Sequence, residues 1–316
     1  MSKNHLFAAI ACAALLFAGC GKTNPSNGDP SNPDQGTNPV VEEKITSADF
    51  VGTWIADEEY KTVFNADGTC TQERWGERAS GTWSYNEADN TITITVSGES
   101  ATLKTRLIGG KAWLVLITDM NDMVLHESFR KEGAKVDSGT LGDGRWDAPH
   151  TGVKPAQYTE DADYRLCLLV SGKNIDLYVP MWGYHIQGTF TLNDGKMRIE
   201  ADDDHIWAAK EINVVDSVNW SFGWNAWGDG PDDGPGMNPE TFELNGYTWY
   251  TVNELKKMGH KPEGDADFSF EAAIWNAGQQ VHDEAMELCN FDLCVSPDGK
   301  EAFGSAVGLT PWFYKR

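Results

Sequence analysis

Gly81-Thr-Trp-Ser-Tyr-Asn86, followed by Asn90-Thr-Ile-Thr-Ile-Thr-Val96, is the stretch on which the fold turns. From Thr91 to Val96, threonine alternates with isoleucine or valine without a break, the pattern of a strand buried on one face. The segments around it read the same way. Tyr60-Lys-Thr-Val-Phe64 runs into the turn Asn65-Ala-Asp-Gly68, and Thr69-Cys-Thr-Gln-Glu-Arg-Trp75 returns. Lys111-Ala-Trp-Leu-Val-Leu-Ile117 and Met123-Val-Leu-His-Glu-Ser-Phe129 follow. Short strands about ten residues apart, with turn residues between them, predict an all-β, antiparallel barrel or sandwich.

The same landmarks then return in the same order. Gly52-Thr-Trp54 is echoed by Gly144-Arg-Trp146. The opening stretch is echoed by Gly188-Thr-Phe-Thr-Leu-Asn193 and Gly195-Lys-Met-Arg-Ile199, and Ser128-Phe-Arg-Lys131 by Trp312-Phe-Tyr-Lys-Arg316. The reading is two tandem β-units, 46–133 and a larger 144–316, joined by a glycine-bearing linker at 134–143. The second unit carries the insertion from Trp220 to Pro239 and a short helix. That helix opens on the capping-box pattern Thr251-Val-Asn-Glu254 and stops at Gly259.

Residues 1–20 form a tripartite secretory leader: a basic start, the apolar run Leu6–Phe17, and Ala18-Gly19-Cys20. The run is shorter than the roughly 20 residues that a membrane span needs. Residues 21–45, which from Gly21 to Pro39 are mostly Asn, Pro, Ser, Gly, Asp and Thr, have little to bury and read as a flexible tether. The formal charge of -23 becomes -24 once Lys3 leaves with the leader. A body this acidic repels nucleic acid and anionic membrane surfaces, which excludes nucleic-acid binding. Cys70, Cys167, Cys289 and Cys294 remain in the body. An exported compartment permits disulfides, and buried free thiols are the preferred reading.

The Ala-Gly-Cys ending resembles the lipobox of bacterial lipoproteins, with Phe17 where Leu is usual. The resemblance implies that Cys20 becomes the lipid-bearing first residue. Gly21, where an Asp would signal inner-membrane retention in that family, implies an outer-membrane address, on either the periplasmic or the cell-surface face. The order Gly-x-Trp, alternating strands, then a closing aromatic beside a basic residue resembles lipocalin-like bacterial lipoproteins, a calycin-type β-barrel, here in tandem with a divergent second copy. In that superfamily the first-strand Trp plugs one barrel end and an Arg of the last strand packs over it. The resemblance implies Trp54 with Arg130 in the first unit, and Trp146 with Arg316 in the second, Lys315 being the second choice. A guanidinium on an indole makes a cation–π contact.

Trp220-Ser-Phe-Gly-Trp-Asn-Ala-Trp227 concentrates aromatic rings beside polar loop residues. Such faces stack on sugar rings or flat apolar ligands. Trp220, Trp224, Asn225 and Trp227 are the ligand-binding candidates, with Trp182 and Tyr184 as neighbours. Core filling is the competing reading of those rings. Asp229, Asp232 and Asp233 lie in a glycine- and proline-rich loop, where a solvated turn is preferred and calcium is the alternative. Asp202-Asp-Asp-His205 sets three acids beside an imidazole in a turn. His150, His185, His260 and His282 are scattered. No Gly-x-Ser-x-Gly elbow and no phosphate-cradling loop occurs. Glu271 and Glu284 are carboxylates that a glycosidase could use, though no spacing singles them out.

The expected function is that of a lipid-anchored envelope protein binding a small apolar ligand or a carbohydrate, without catalysis and without a cofactor. An envelope interaction or assembly protein is the first alternative, and a glycan hydrolase the second.

Overall fold

The structure, a computed structural model, describes residues 44–57, 60–120, 123–149, 164–211, 221–222, 237–238, 243–244, 248–264, 267, 269–305 and 310–316. Thr46–Phe50 forms the single turn its sequence predicts. In this helix, α1 (Ser47–Phe50), Asp49 accepts from the Thr46 amide at 2.7 Å and Phe50 is fully buried.

Eight strands follow: β1 (Gly52–Asp57), β2 (Tyr60–Phe64), β3 (Thr69–Arg74), β4 (Glu77–Asn86), β5 (Thr91–Val96), β6 (Glu99–Ile108), β7 (Trp113–Met120) and β8 (Met123–Lys131). They close into an antiparallel barrel in chain order. Period-two alternation explains strands such as β2 and β5. On β5 the side chains of Ile92, Ile94 and Val96 are buried while the threonines between them are half-buried. Each such burial contributes about 1.5–3 kcal/mol relative to exposure. The Asn65–Gly68 turn is bolted to the opening stretch, since Trp83 donates its indole N–H to the Asn65 carbonyl at 2.9 Å.

A second closed barrel is built from β9 (Gly144–Pro149), β10 (Tyr164–Ser171), β11 (Asn174–Val179), β12 (Tyr184–Asn193), β13 (Lys196–Glu200) and three late strands. Between β13 and those strands come β14 (Ile206–Glu211), β15 (Ser221–Phe222), β16 (Met237–Asn238), β17 (Glu243–Leu244) and β18 (Thr248–Thr251). The helices α2 (Val252–Met258) and α3 (Phe270–Leu288) are next, and β19 (Asn290–Val295), β20 (Glu301–Ser305) and β21 (Trp312–Lys315) return to β9. The fold is therefore all-β, with two eight-stranded antiparallel barrels in tandem. Among the described residues no helix is long and apolar enough to cross a membrane.

The repeated glycine has a single cause in both barrels. A Cβ on Gly81 would lie 1.9 Å from the Thr95 carbonyl oxygen, and one on Gly188 would lie 2.3 Å from that of Glu200. Neighbouring backbones approach so closely there that no side chain fits.

The helical content exceeds the sequence expectation. The capping box at Thr251 forms as read, with Glu254 N–H donating to Thr251 Oγ1 at 3.0 Å. The nineteen-residue α3 lies beyond that expectation. Its buried Ile274, Ala277, Val281, Ala285 and Leu288 recur at helical spacing. Val281, Ala285 and Leu288 join one apolar core with Leu168, Leu177, Ile186 and Ile206. Side chains thus fill the second barrel's core.

The chain divides into two compact units, Met1–Thr53 with Glu59–Lys104, and Trp54–Glu58 with Thr105–Arg316. Within the latter, β7 is buried on both faces. Leu114 pairs with Phe129 on β8, while Trp113, Val115 and Ile117 pack with Val136, Cys294 and Phe303. That double burial is why Trp113–Ile117 reads as a continuous apolar run.

Candidate functional site

The cations over the barrel tryptophans need a correction. Lys131, not Arg130, lies over the buried Trp54 ring, 5.2 Å from its centroid, and Lys315 lies 5.7 Å over Trp146. The reason is register. Trp54 pairs with Lys131 and Trp146 with Lys315, and directly opposed residues share a face. Each arginine is one position away and points to the other face. Arg130 donates to the Asp194 carbonyl at 2.7 Å. Arg316 and Arg145 hold the fully buried Asp147 carboxylate, each by its Nε at 2.7 Å.

The remaining sequence candidates fall in several places. Tyr184 is 1 % exposed and donates its hydroxyl to Glu284 on α3. Burial first, and that carboxylate second, push its phenol well above the usual range. Trp182 ends a 3-10 turn, Pro180–Trp182, and packs on the same core. Cys20, Trp220, Trp224, Asn225, Trp227, Asp229, Asp232 and Asp233 lie outside the described residues, as does His150. The strand β15 pairs with β14 through Lys210 and Phe222. All four body cysteines are buried and free. Desolvation pushes Cys289 up to about 11 and Cys294 up to about 12, so neither thiol is a ready nucleophile.

The acidic turn divides its labour. Asp203 accepts from Lys256 at 2.9 Å and from His282 at 2.6 Å, tying both helices to the sheet. Asp202 contacts His205 Nδ1 at 2.6 Å, and that hydrogen bond holds its carboxyl below the usual carboxylate value. His260 is likewise paired with Asp267.

The structure assembles a surface that the sequence reading missed. On β11 the side chains of Ile175, Leu177 and Val179 enter the core, so Asn174, Asp176 and Tyr178 face outward. By the same alternation His185, Gln187 and Thr189 face outward on β12, and Trp207 on β14. Cross-strand register places Tyr178 opposite His185, and His185 opposite Trp207. His185 stacks on Trp207, centroids 5.0 Å apart and planes at 23°. Tyr178 lies 5.1 Å from His185 and 5.7 Å from Trp249 of β18. Four rings from four strands thus gather: Trp249 also lies 6.5 Å from His185, Tyr178 is buried, and His185, Trp207 and Trp249 form the partly exposed row. Among the described residues the Trp249 indole N–H has no hydrogen-bond partner.

The row runs beside an open depression of about 530 Å³, lined by Asn174, Asp176, Gln187, Thr189, Glu200, Asp202 and His205 among others. Its origin is topological. One edge of β12 pairs with β14 through residues 184–186 and with β13 through residues 189–193. The edge changes partner at Gln187 and Gly188, where the Gln187 amide donates to the His205 carbonyl at 2.9 Å and Gly188 lies against the Glu200 carbonyl. Gln187 donates to Asp176 at 3.3 Å, and His185 Nε2 lies 3.9 Å from the same carboxylate. Among the described residues no three His, Cys, Asp or Glu side chains converge as a metal site. A row of rings with amides, a hydroxyl and carboxylates at its end can stack on the apolar face of a sugar and hydrogen-bond its hydroxyls. Searches of protein-family models, of curated proteins and of solved structures each found no match to this chain.

Proposed function

We propose that this protein is an exported lipoprotein, held at the outer membrane through lipid on Cys20, that binds carbohydrate without transforming it. The lipocalin-like resemblance of the sequence belongs to this proposal. The reading rests chiefly on one observation: the partly exposed rings of His185, Trp207 and Trp249, packed with the buried Tyr178, adjoin a depression rich in hydrogen-bonding groups. Rings in a row offer stacking area at small entropic cost, and polar groups beside them orient the ligand. The packed core of the second barrel favours an outer-face site over a ligand held inside.

The test is a glycan panel titrated against the purified full chain. Saturable binding to at least one glycan, abolished by Trp207→Ala with the melting temperature retained, is the expected outcome. A blank panel would sink the reading. Metabolic labelling with a fatty-acid analogue tests the anchor, and Cys20→Ser should abolish incorporation.

A further inference from the structure

We infer that the depression selects a glycan bearing free amino groups, such as de-N-acetylated hexosamine chains; this inference rests on the carbohydrate reading above. Three carboxylates, Asp176, Glu200 and Asp202, line the depression, and among the described residues neither Lys nor Arg does. The three differ in what they already hold. Asp202 is engaged by His205 and by the amide of Asp204 at 3.0 Å, and stays ionised well into the acid range. Asp176 uses only Oδ2, toward Gln187 and His185. Glu200 is exposed at the end of β13, and its carboxylate meets no described side chain. Among the described residues, Asp176 Oδ1 and the Glu200 carboxylate therefore have no donor, at the end of the aromatic row.

An ammonium group carries three donors and no acceptor, which is the complement of those carboxylates. An N-acetyl group in its place would present a carbonyl oxygen to carboxylates and bring no positive charge. A uronate or sulfated sugar would add like charge at short range, which is disfavoured. The aromatic row supplies stacking common to all pyranoses, and the carboxylates supply the choice among them.

The experiment titrates the full chain, by calorimetry at mildly acid pH, with hexamers of chitosan, chitin and cellulose. Chitosan hexamer should bind about tenfold more tightly than cellohexaose, the scale of a few charge-assisted contacts at a surface. The double variant Asp176→Asn/Glu200→Gln should abolish the preference, so that chitosan and cellohexaose bind alike. The remote pair Glu77→Gln/Glu99→Gln removes the same formal charge and should change neither. Equal binding of chitosan and cellohexaose would overturn the inference while leaving carbohydrate binding intact. Chitosan binding that the remote pair weakens equally, or that survives Trp207→Ala, would show diffuse attraction to an acidic protein and also overturn it. No binding of any hexamer overturns it too; the carbohydrate reading then fails only if the wider glycan panel is blank.

Discussion

The two barrels share their closing devices and differ in what is added to the ring. Each begins with a buried tryptophan under a lysine from its last strand, and each carries a glycine where two backbones nearly touch. In the first barrel the eight strands follow one another in chain order around the ring. In the second, β14 is grafted onto the free half of the β12 edge, and β15 and β18 extend it. The conserved parts of the repeat close barrels, and the candidate site appears where the repeat is broken. Repetition here supplies scaffold, and insertion supplies chemistry.

The largest expected effect tests the shared devices. Trp54→Ala and Trp146→Ala should each cost about 3–5 kcal/mol, measured by denaturant melts, because each removes a fully buried indole. If one substitution were nearly silent, the two rings would not be equivalent.

Acid should then act through β8. His126 is buried against the Phe303 and Trp312 rings, and desolvation lowers its pKa to about 4 from the ordinary 6.5. The unfolded chain takes up that proton first as pH falls. Stability is therefore full above pH 6.5 and drops by about 3 kcal/mol as pH falls toward 4. His126→Leu should remove this share of the slope between those limits; a variant with an unaltered profile would place the acid sensitivity elsewhere.

A smaller effect of opposite sign distinguishes the interiors. Thr62 and Gln72 face each other across β2 and β3, both buried, and Thr62 Oγ1 and Gln72 Nε2 have no hydrogen-bond partner among the described residues. Replacing both by apolar residues, Thr62→Val with Gln72→Leu, should stabilise the protein by about 1 kcal/mol. Loss of stability would mean that the pair serves a polar guest.

Much of the ring was legible from period-two alternation, as on β5, and from the paired glycines. The cations were misassigned because the register of β1 on β8, and of β21 on β9, is a long-range fact. A shift of one residue exchanges Arg130 for Lys131 and reverses the face. The helix α3 was written in the sequence, with Ser269 as its cap and apolar residues from Ile274 to Leu288 at helical spacing. The expectation of a chain made almost wholly of strands masked it. The site was not legible as a unit, because its four rings come from β11, β12, β14 and β18. A cue existed: polar and aromatic residues occupy the outward positions of strands whose inward positions are aliphatic, as in Asn174-Ile-Asp-Leu-Tyr-Val179.

The smallest change in stability carries the most weight. Trp75, at the β3–β4 hairpin of the first barrel, is 61 % exposed, and Trp207 is half-buried on the second. Trp75→Ala should shift stability by about 0.5 kcal/mol or less, as surface substitutions do. The direct measurement is calorimetric titration of whichever glycan binds the wild-type chain against these two variants. The account predicts that Trp75→Ala binds as the wild type does and that Trp207→Ala, still folded, does not bind. Full binding by Trp207→Ala would contradict it and move the site off the outer face of the second barrel.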